Sequence, residues 1–255
     1  MSNYFLNIFE TRFKKLYGNG IFNLNDDILS NAEVLDAIEK MPDDGTKEIA
    51  KFVTTRFGLN KKIKKIVILG SGSGKLGTRL ADYFKNSIIV DIDKSSPVIK
   101  RLKNIFNRDK LRMPKLGDAR NIPLEKGSVD LIVAYSTLRY INDRRKVIES
   151  INKILKSGGY AVIVEARAID VVEDIESTLK NKRIAFTRNT ENNILFSRTS
   201  FFYYLVLESS KNKILKNRIE KVENKNNSSF LEAALKCAGK YKGSLYYVSW
   251  QKKNG

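Results

Sequence analysis

The sequence predicts an α/β fold, a three-layer sandwich with a mostly parallel sheet held between helices. Three observations carry that prediction. From residue 64 to residue 166, short β-branched runs alternate with helical segments, the pattern of βαβ units. The runs are almost continuously apolar, as strands buried on both faces are. The first run, "KKIVIL", passes directly into Gly70, Gly72 and Gly74 and then into a helical segment.

The elements follow in order. "NYFLNIFETRFKKLY" places Phe5, Ile8, Phe9, Phe13 and Leu16 at helical spacing, and "GNG" stops it. "LNDDILSNAEVLDAIEKM" predicts a second helix ending near Pro42. "DDGTKEIAKFVTTRFGL" predicts a third, capped by Asp44 or Thr46, with Ile49, Phe52, Val53 and Phe57 on one face. Then come strand 64–69, helix 75–85, strand 87–93 ("SIIVDID") and helix "SSPVIKRLKNIF". "LRMPKLGDA" is a weaker strand because Pro114 cannot donate to a ladder. Strand 128–135, helix "DRRKVIESINKILK" and strand "GGYAVIVEA" complete the alternation. Beyond about residue 181 it fails. "KRIAFTR", "NILFS" and "FFYYLVLESS" read as strands, "FLEAALKCA" as a short helix and "GSLYYVSWQK" as a final strand. This divides the chain into a helical cap or lid at 1–45, a core at 46–210 and a basic C-terminal extension at 211–255.

Composition narrows the chemistry. The 255 residues contain no histidine and a single cysteine, Cys237. Histidine-based zinc sites, triads and general bases are therefore excluded, as are disulfides within the chain and multi-cysteine metal sites. Cys237 sits in a late apolar helical pattern and reads as a core residue. No apolar run is long enough to span a membrane, and the N-terminus lacks the form of a signal peptide, so a cytoplasmic location is expected. Lys and Arg number 47 against 28 acids, a net charge of +19. Such an excess favours polyanionic partners, RNA first, although it is spread along the chain rather than gathered. Lys211, Lys213, Lys216, Arg218, Lys221 and Lys225 could meet phosphates, but an exposed helix or loop face is the commoner meaning of such a run. The aromatic run "FFYYLVLES" fits a buried strand better than a base-stacking platform.

Three ligand classes use a glycine-rich turn after a first strand. A phosphate loop, G-x-x-x-x-G-K-[ST], fails here: its first position is Leu69, and Lys75 is followed by Leu76. The dinucleotide fingerprint G-x-G-x-x-G is spelled by Gly72, Gly74 and Gly77, with Asp91 further on, but its first glycine does not follow the strand directly. The remaining form is G-x-G-x-G at Gly70, Gly72 and Gly74, immediately after the strand; Gly77 then serves helix packing.

In that form the chain resembles the class I S-adenosylmethionine (SAM)-dependent methyltransferases over roughly residues 45 to 166, closest in motif style to the branch rich in small-molecule acceptors. "IIVDID", "GDARNIPLEKGSVDLIVAY" and "LKSGGYAVIVEA" match the family in order. The resemblance implies a seven-stranded sheet, SAM as donor with S-adenosylhomocysteine (SAH) as product, and no metal. It implies a donor site at Gly70, Ser71, Gly72 and Gly74, with Asp91 and Ile92 at the ribose, Asp118 and Ala119 at the adenine, and Tyr135 beside them. Tyr135, Arg139 and Tyr140 are candidates to face the acceptor; no catalytic base is nominated. The family's acid two residues before the first glycine is Ile68 here, which leaves the donor's ammonium without that partner. "AYST" at 134–137 departs from the [ND]-P-P-[YFW] of enzymes that methylate planar amines. The expected reaction is methyl transfer to a small molecule. Methylation of RNA, and a non-catalytic RNA- or partner-binding role for the same fold, are the alternatives.

Overall fold

The computed structural model describes residues 45–58, 63–166, 169–196, 221 and 241–253. The helices expected before residue 44, the strand at 201–210, and the helix "FLEAALKCA" with Cys237 lie outside the described residues. The basic run at 211–227 does too, apart from Lys221. The chain divides into two units, one of residues 45–194 with 243–255 and another of 1–44 with 195–242. The sheet lies mainly in the first.

Seven strands form this sheet in the order β3-β2-β1-β4-β5-β7-β6. They are β1 (Lys65–Leu69), β2 (Ile88–Asp93), β3 (Arg112–Leu116), β4 (Val129–Tyr135), β5 (Leu155–Ala166), β6 (Phe186–Phe196) and β7 (Tyr241–Gln251). β1 pairs in parallel with β2 and β4, β2 with β3, and β4 with β5; β7 runs antiparallel to β5. The expected seven-stranded, mostly parallel sheet is thus present. One detail differs from expectation: "KRIAFTR" and "NILFS" merge into the single strand β6. The final strand lies between β5 and β6.

Among the described residues, five α-helices accompany the sheet: α1 (Thr46–Val53), α2 (Lys75–Tyr83), α3 (Ser96–Ile105), α4 (Arg144–Ile154) and α5 (Ile169–Asn181). Their ends follow from local chemistry. Ser95 caps α3 by accepting from the Val98 N–H, with Pro97 in the first turn. Asp143 caps α4 by accepting from Lys146. Gly45, at φ 82, takes the cap position of α1 that was expected of Asp44 or Thr46. Thr46 instead accepts from Arg79 Nε at 2.8 Å, tying α1 to α2.

The period of two along the strands separates two apolar layers. Val67, Leu69, Val90, Ile92, Ile132 and Ala134 join one core with Val147, Ile148 and Ile151 of α4 and Val172 and Ile175 of α5. The alternate positions Ile66, Ile68 and Ile89 are equally buried. Buried Tyr247 of β7 stacks on Phe52 of α1, ring centroids 4.1 Å apart. Among the described helices none is long and apolar enough to cross a membrane.

Candidate functional site

β1 lies centrally, with β2 on one side and β4 on the other. The strand order therefore reverses at β1/β4, and the carboxyl edge beside that switch is where open α/β sheets bind ligands. The glycine turn sits on this edge. The three glycines have different reasons to be glycine. Gly70 is at φ 69, and a Cβ there would lie 2.3 Å from Thr137 Oγ1. Gly74 is at φ 82 where it opens α2, and a Cβ would meet Leu102 at 2.7 Å. Gly72 is at φ 50, and no atom of the described residues lies within 4 Å of an added Cβ. Of the three, Gly72 alone has no described atom against its bare backbone. The turn is anchored by Gly70 and Ser71 donating to the Ile92 carbonyl at 2.8 and 3.1 Å, and by Gly74 donating to Ser71 at 2.8 Å.

The second-strand acid is the principal departure from expectation. Asp91 is not at the ligand edge. It pairs with Ile68 and Pro114 inside the sheet and is fully buried. Its Oδ2 accepts from Arg112 Nε at 3.0 Å and Nη2 at 2.7 Å. Burial pushes the Asp91 carboxyl up, against the pull of Arg112. The acid at the strand end is Asp93, about 7 Å further along the same face. Asp93 Oδ2 accepts from the Gly72 N–H and Oδ1 from the Ser95 N–H, both at 3.0 Å. The signal in the sequence that separates the two acids is the helix cap: a start at Ser95 with Pro97 following puts the strand end at Asp93, not Asp91. The same register explains Ile68. It is 2 % exposed and lies directly opposite Asp91, so an acid there would set a second carboxylate beside a buried one.

Ile92 contributes its carbonyl to the turn while its side chain packs into the core. The third-strand loop is joined to the edge because Gly117 N–H donates to the Asp93 carbonyl at 3.0 Å. Asp118 follows, partly exposed, and takes the Arg120 guanidinium at 2.5 Å. The Arg120 hydrogen bond holds the Asp118 carboxyl below its usual range. Ala119 packs against the core beneath it.

The segment after β4 is rigidly held. Tyr135 closes the strand, and Ser136 adopts φ 47 while its N–H donates to the Val164 carbonyl at 2.8 Å. A non-glycine residue in that region marks backbone strain, a feature that gathers at functional edges. The Thr137 hydroxyl lies 3.0 Å from the carbonyls of Leu69 and Tyr135 and donates to one at a time. Fully buried Glu165 accepts from the Leu138 N–H at 3.0 Å and from Arg139 Nε at 2.9 Å, and Arg139 also donates to the Ala166 carbonyl. Arg139 is therefore a brace turned into the protein, not a group aimed at an acceptor. Tyr140 is exposed at the same edge. Glu165 carries no signal in the sequence beyond an acid at the end of an apolar strand.

The structure thus gathers the glycine turn, Ile92, Asp118, Ala119, Tyr135 and Tyr140 at one edge, adds Asp93, and withdraws Asp91 and Arg139 into buried ion pairs.

Comparison with known proteins agrees with this fold. Residues 67–163 match the family model described as a methyltransferase domain. The chain is similar to the malonyl-[acyl-carrier protein] O-methyltransferase of Geobacter sulfurreducens, 26% identical over 37% of this chain and 36% of that protein. It is similar as well to the fibrillarin-like rRNA/tRNA 2′-O-methyltransferase of Methanococcus maripaludis, 26% identical over 45% of this chain and 50% of that protein. The chain therefore spans half or less of these curated relatives. In fold it resembles the Haemonchus contortus phosphoethanolamine N-methyltransferase 2 in complex with SAM. That match has a TM-score of 0.59 at 17% identity and covers 89% of this chain and 60% of that one. The resemblance to the class I methyltransferases and the α/β fold it implies are borne out.

Proposed function

We propose that this chain, whose core has the class I methyltransferase fold, is a SAM-dependent methyltransferase acting on a small-molecule acceptor. The observation that carries the donor reading is the pairing of Gly72 and Asp93. Among the described residues nothing crowds the bare backbone of Gly72 at the switch point, and its N–H donates to the Asp93 carboxylate at 3.0 Å. Asp93 thus stands at the end of β2, against the turn, where a carboxylate can meet the hydroxyls of a ribose. Ribose recognition is thus assigned to Asp93 in place of Asp91. Asp118 and Ala119 lie on the same edge for the adenine, and the head of α2 offers its N-terminal dipole to the donor's charged tail.

When bound, the donor supplies a methyl group on a sulfonium, already an excellent leaving group. The protein's task is then alignment. The segment at 135–140, clamped by Glu165 and by Thr137, forms one wall against which an acceptor is held in line, with Tyr135 and Tyr140 as its aromatic members.

Local charge supports a small acceptor. The arginines around this edge are engaged: Arg101 with the Ser73 carbonyl, Arg112 with Asp91, Arg120 with Asp118, Arg139 with Glu165 and Arg144 with Asp174. Arg112 and Arg139 are buried in their ion pairs and so are withheld from a phosphate backbone, while Arg120 is paired on the surface. The second reading, RNA methylation, is favoured by the net charge of +19 and by the fibrillarin-like relative.

The test is calorimetric titration with SAM and SAH, then labelled-SAM incorporation into metabolite, protein and RNA fractions. Binding in the micromolar range and label in metabolites are expected. Replacing Asp93 with alanine weakens SAH by about 10- to 100-fold, the worth of hydrogen bonds to a charged group. No binding by the native chain sinks the donor reading, and label confined to RNA sinks the small-molecule one.

A further inference from the structure

We infer that Asp91 and Arg112 are positioning residues for donor binding. Buried beneath the glycine turn, they set the orientation in which its peptides meet the ligand. The inference rests on the reading of this edge as a donor site.

Arg112 belongs to β3, yet its side chain touches four elements. It forms the two bonds to Asp91 of β2, donates from Nη1 to Thr78 Oγ1 of α2 at 3.1 Å, and lies 3.7 Å from the ring centre of Phe106 after α3. Its Nη2 also reaches the Gly74 carbonyl at 3.5 Å. The Thr78 hydroxyl relays the same pull, accepting from Arg112 and donating to the Gly74 carbonyl at 3.2 Å. One residue earlier, Arg101 Nη1 takes the Ser73 carbonyl at 3.2 Å. Two successive turn carbonyls are thus drawn toward guanidinium groups inside the protein. In a planar trans peptide the next N–H points the opposite way. The Lys75 N–H at the head of α2 is consequently directed away from Arg112.

Gly77 completes the arrangement. A Cβ there would lie 2.7 Å from both Arg112 Nη2 and Asp91 Oδ1, so α2 rests directly on the ion pair. Apolar residues of similar volume generally serve stability as well as a buried ion pair does. The Gly74 carbonyl also takes the Thr78 N–H at 3.0 Å, the first bond of α2; what apolar residues cannot supply is the guanidinium that adds to it from the side, and this distinguishes positioning from mere packing.

The experiment uses the full chain and two ligands, SAH and its 2′-deoxy analogue, with melting curves and calorimetry for every variant. In the double variant Asp91→Leu/Arg112→Met a cooperative fold is retained while SAH weakens roughly 10- to 100-fold, the range that supporting residues around a bound ligand carry. Asp91→Asn weakens both ligands by the same factor, because it acts through the turn. Asp93→Asn weakens SAH more than the 2′-deoxy analogue, because it touches the ribose. A folded double variant with native SAH affinity overturns the inference. So does an Asp91→Asn penalty that shrinks with the 2′-deoxy analogue, which would make Asp91 a direct contact. If the double variant fails to fold, Arg112→Lys decides: it keeps a charge beside Asp91 and loses the guanidinium's reach to Thr78 and Gly74, so both ligands weaken alike, and native affinity for both overturns the inference. Failure of the native chain to bind SAH removes the donor site itself, and the inference with it.

Discussion

Alanine at Gly70 is expected to eliminate donor binding and to lower stability by several kcal/mol. Two independent effects combine. Gly70 sits at φ 69, a region that costs an L side chain about 1–2 kcal/mol. The new methyl would also meet Thr137 Oγ1 at 2.3 Å, Cγ2 at 2.5 Å and Cβ at 2.9 Å, all on a side chain held against the Leu69 carbonyl. Relief requires the turn or the segment after β4 to move, and both border the proposed site. Thermal melting and SAH calorimetry on Gly70→Ala check this. Adding Thr137→Gly removes the clash but not the backbone strain, so it restores part of the stability. Full recovery would show that φ at this position is unimportant. Native behaviour of the single variant would mean that Gly70 and Thr137 are not in contact.

Glu165→Gln is expected to be strongly destabilising, as is any change that breaks a buried ion pair of the described core. Glu165 is fully buried and carries both the Leu138 N–H and the Arg139 guanidinium, whose side chain is only 11% exposed. Removing one partner of a buried pair strands the other charge and costs about 3–5 kcal/mol. For a chain of this size that corresponds to a fall of roughly 6–20 °C in melting temperature. Burial raises the Glu165 carboxyl and Arg139 draws it back, so the carboxylate depends on that arginine for its charge. Replacing both, as Glu165→Leu with Arg139→Met, is expected to recover most of the loss. A single variant that melts within a degree of the native chain would show that Arg139 finds another partner.

Gly70 and Glu165 differ in how far the linear chain reveals them. The alternation of apolar runs and helical segments locates β1, β2, β4 and β5, because strands buried on both faces must be apolar throughout. Register in the motif identifies the turn and Gly70 with it, because the first glycine has to follow its strand directly. Asp91 and Asp93 show where this reasoning stops. Both are acids at the end of an apolar run, and only the position of the α3 cap tells them apart. Arg139 resembles an acceptor-facing group because it follows β4. Its brace is Glu165 on β5, 26 residues away, a contact invisible to local pattern. The C-terminal strand is recognisable as a strand, but antiparallel pairing with β5 depends on which edge remains open after the parallel strands have assembled.

By itself the sequence determined the fold class, the glycine turn and the sheet edge on which that turn lies, since hydrophobic period and glycine placement are local properties of the chain. Only the tertiary structure decided which carboxylates stay at the sheet's carboxyl edge and which are consumed by arginines. That choice turns on burial and on charge pairing between distant strands, where removing an ion from water must be offset by a partner that the linear order does not name.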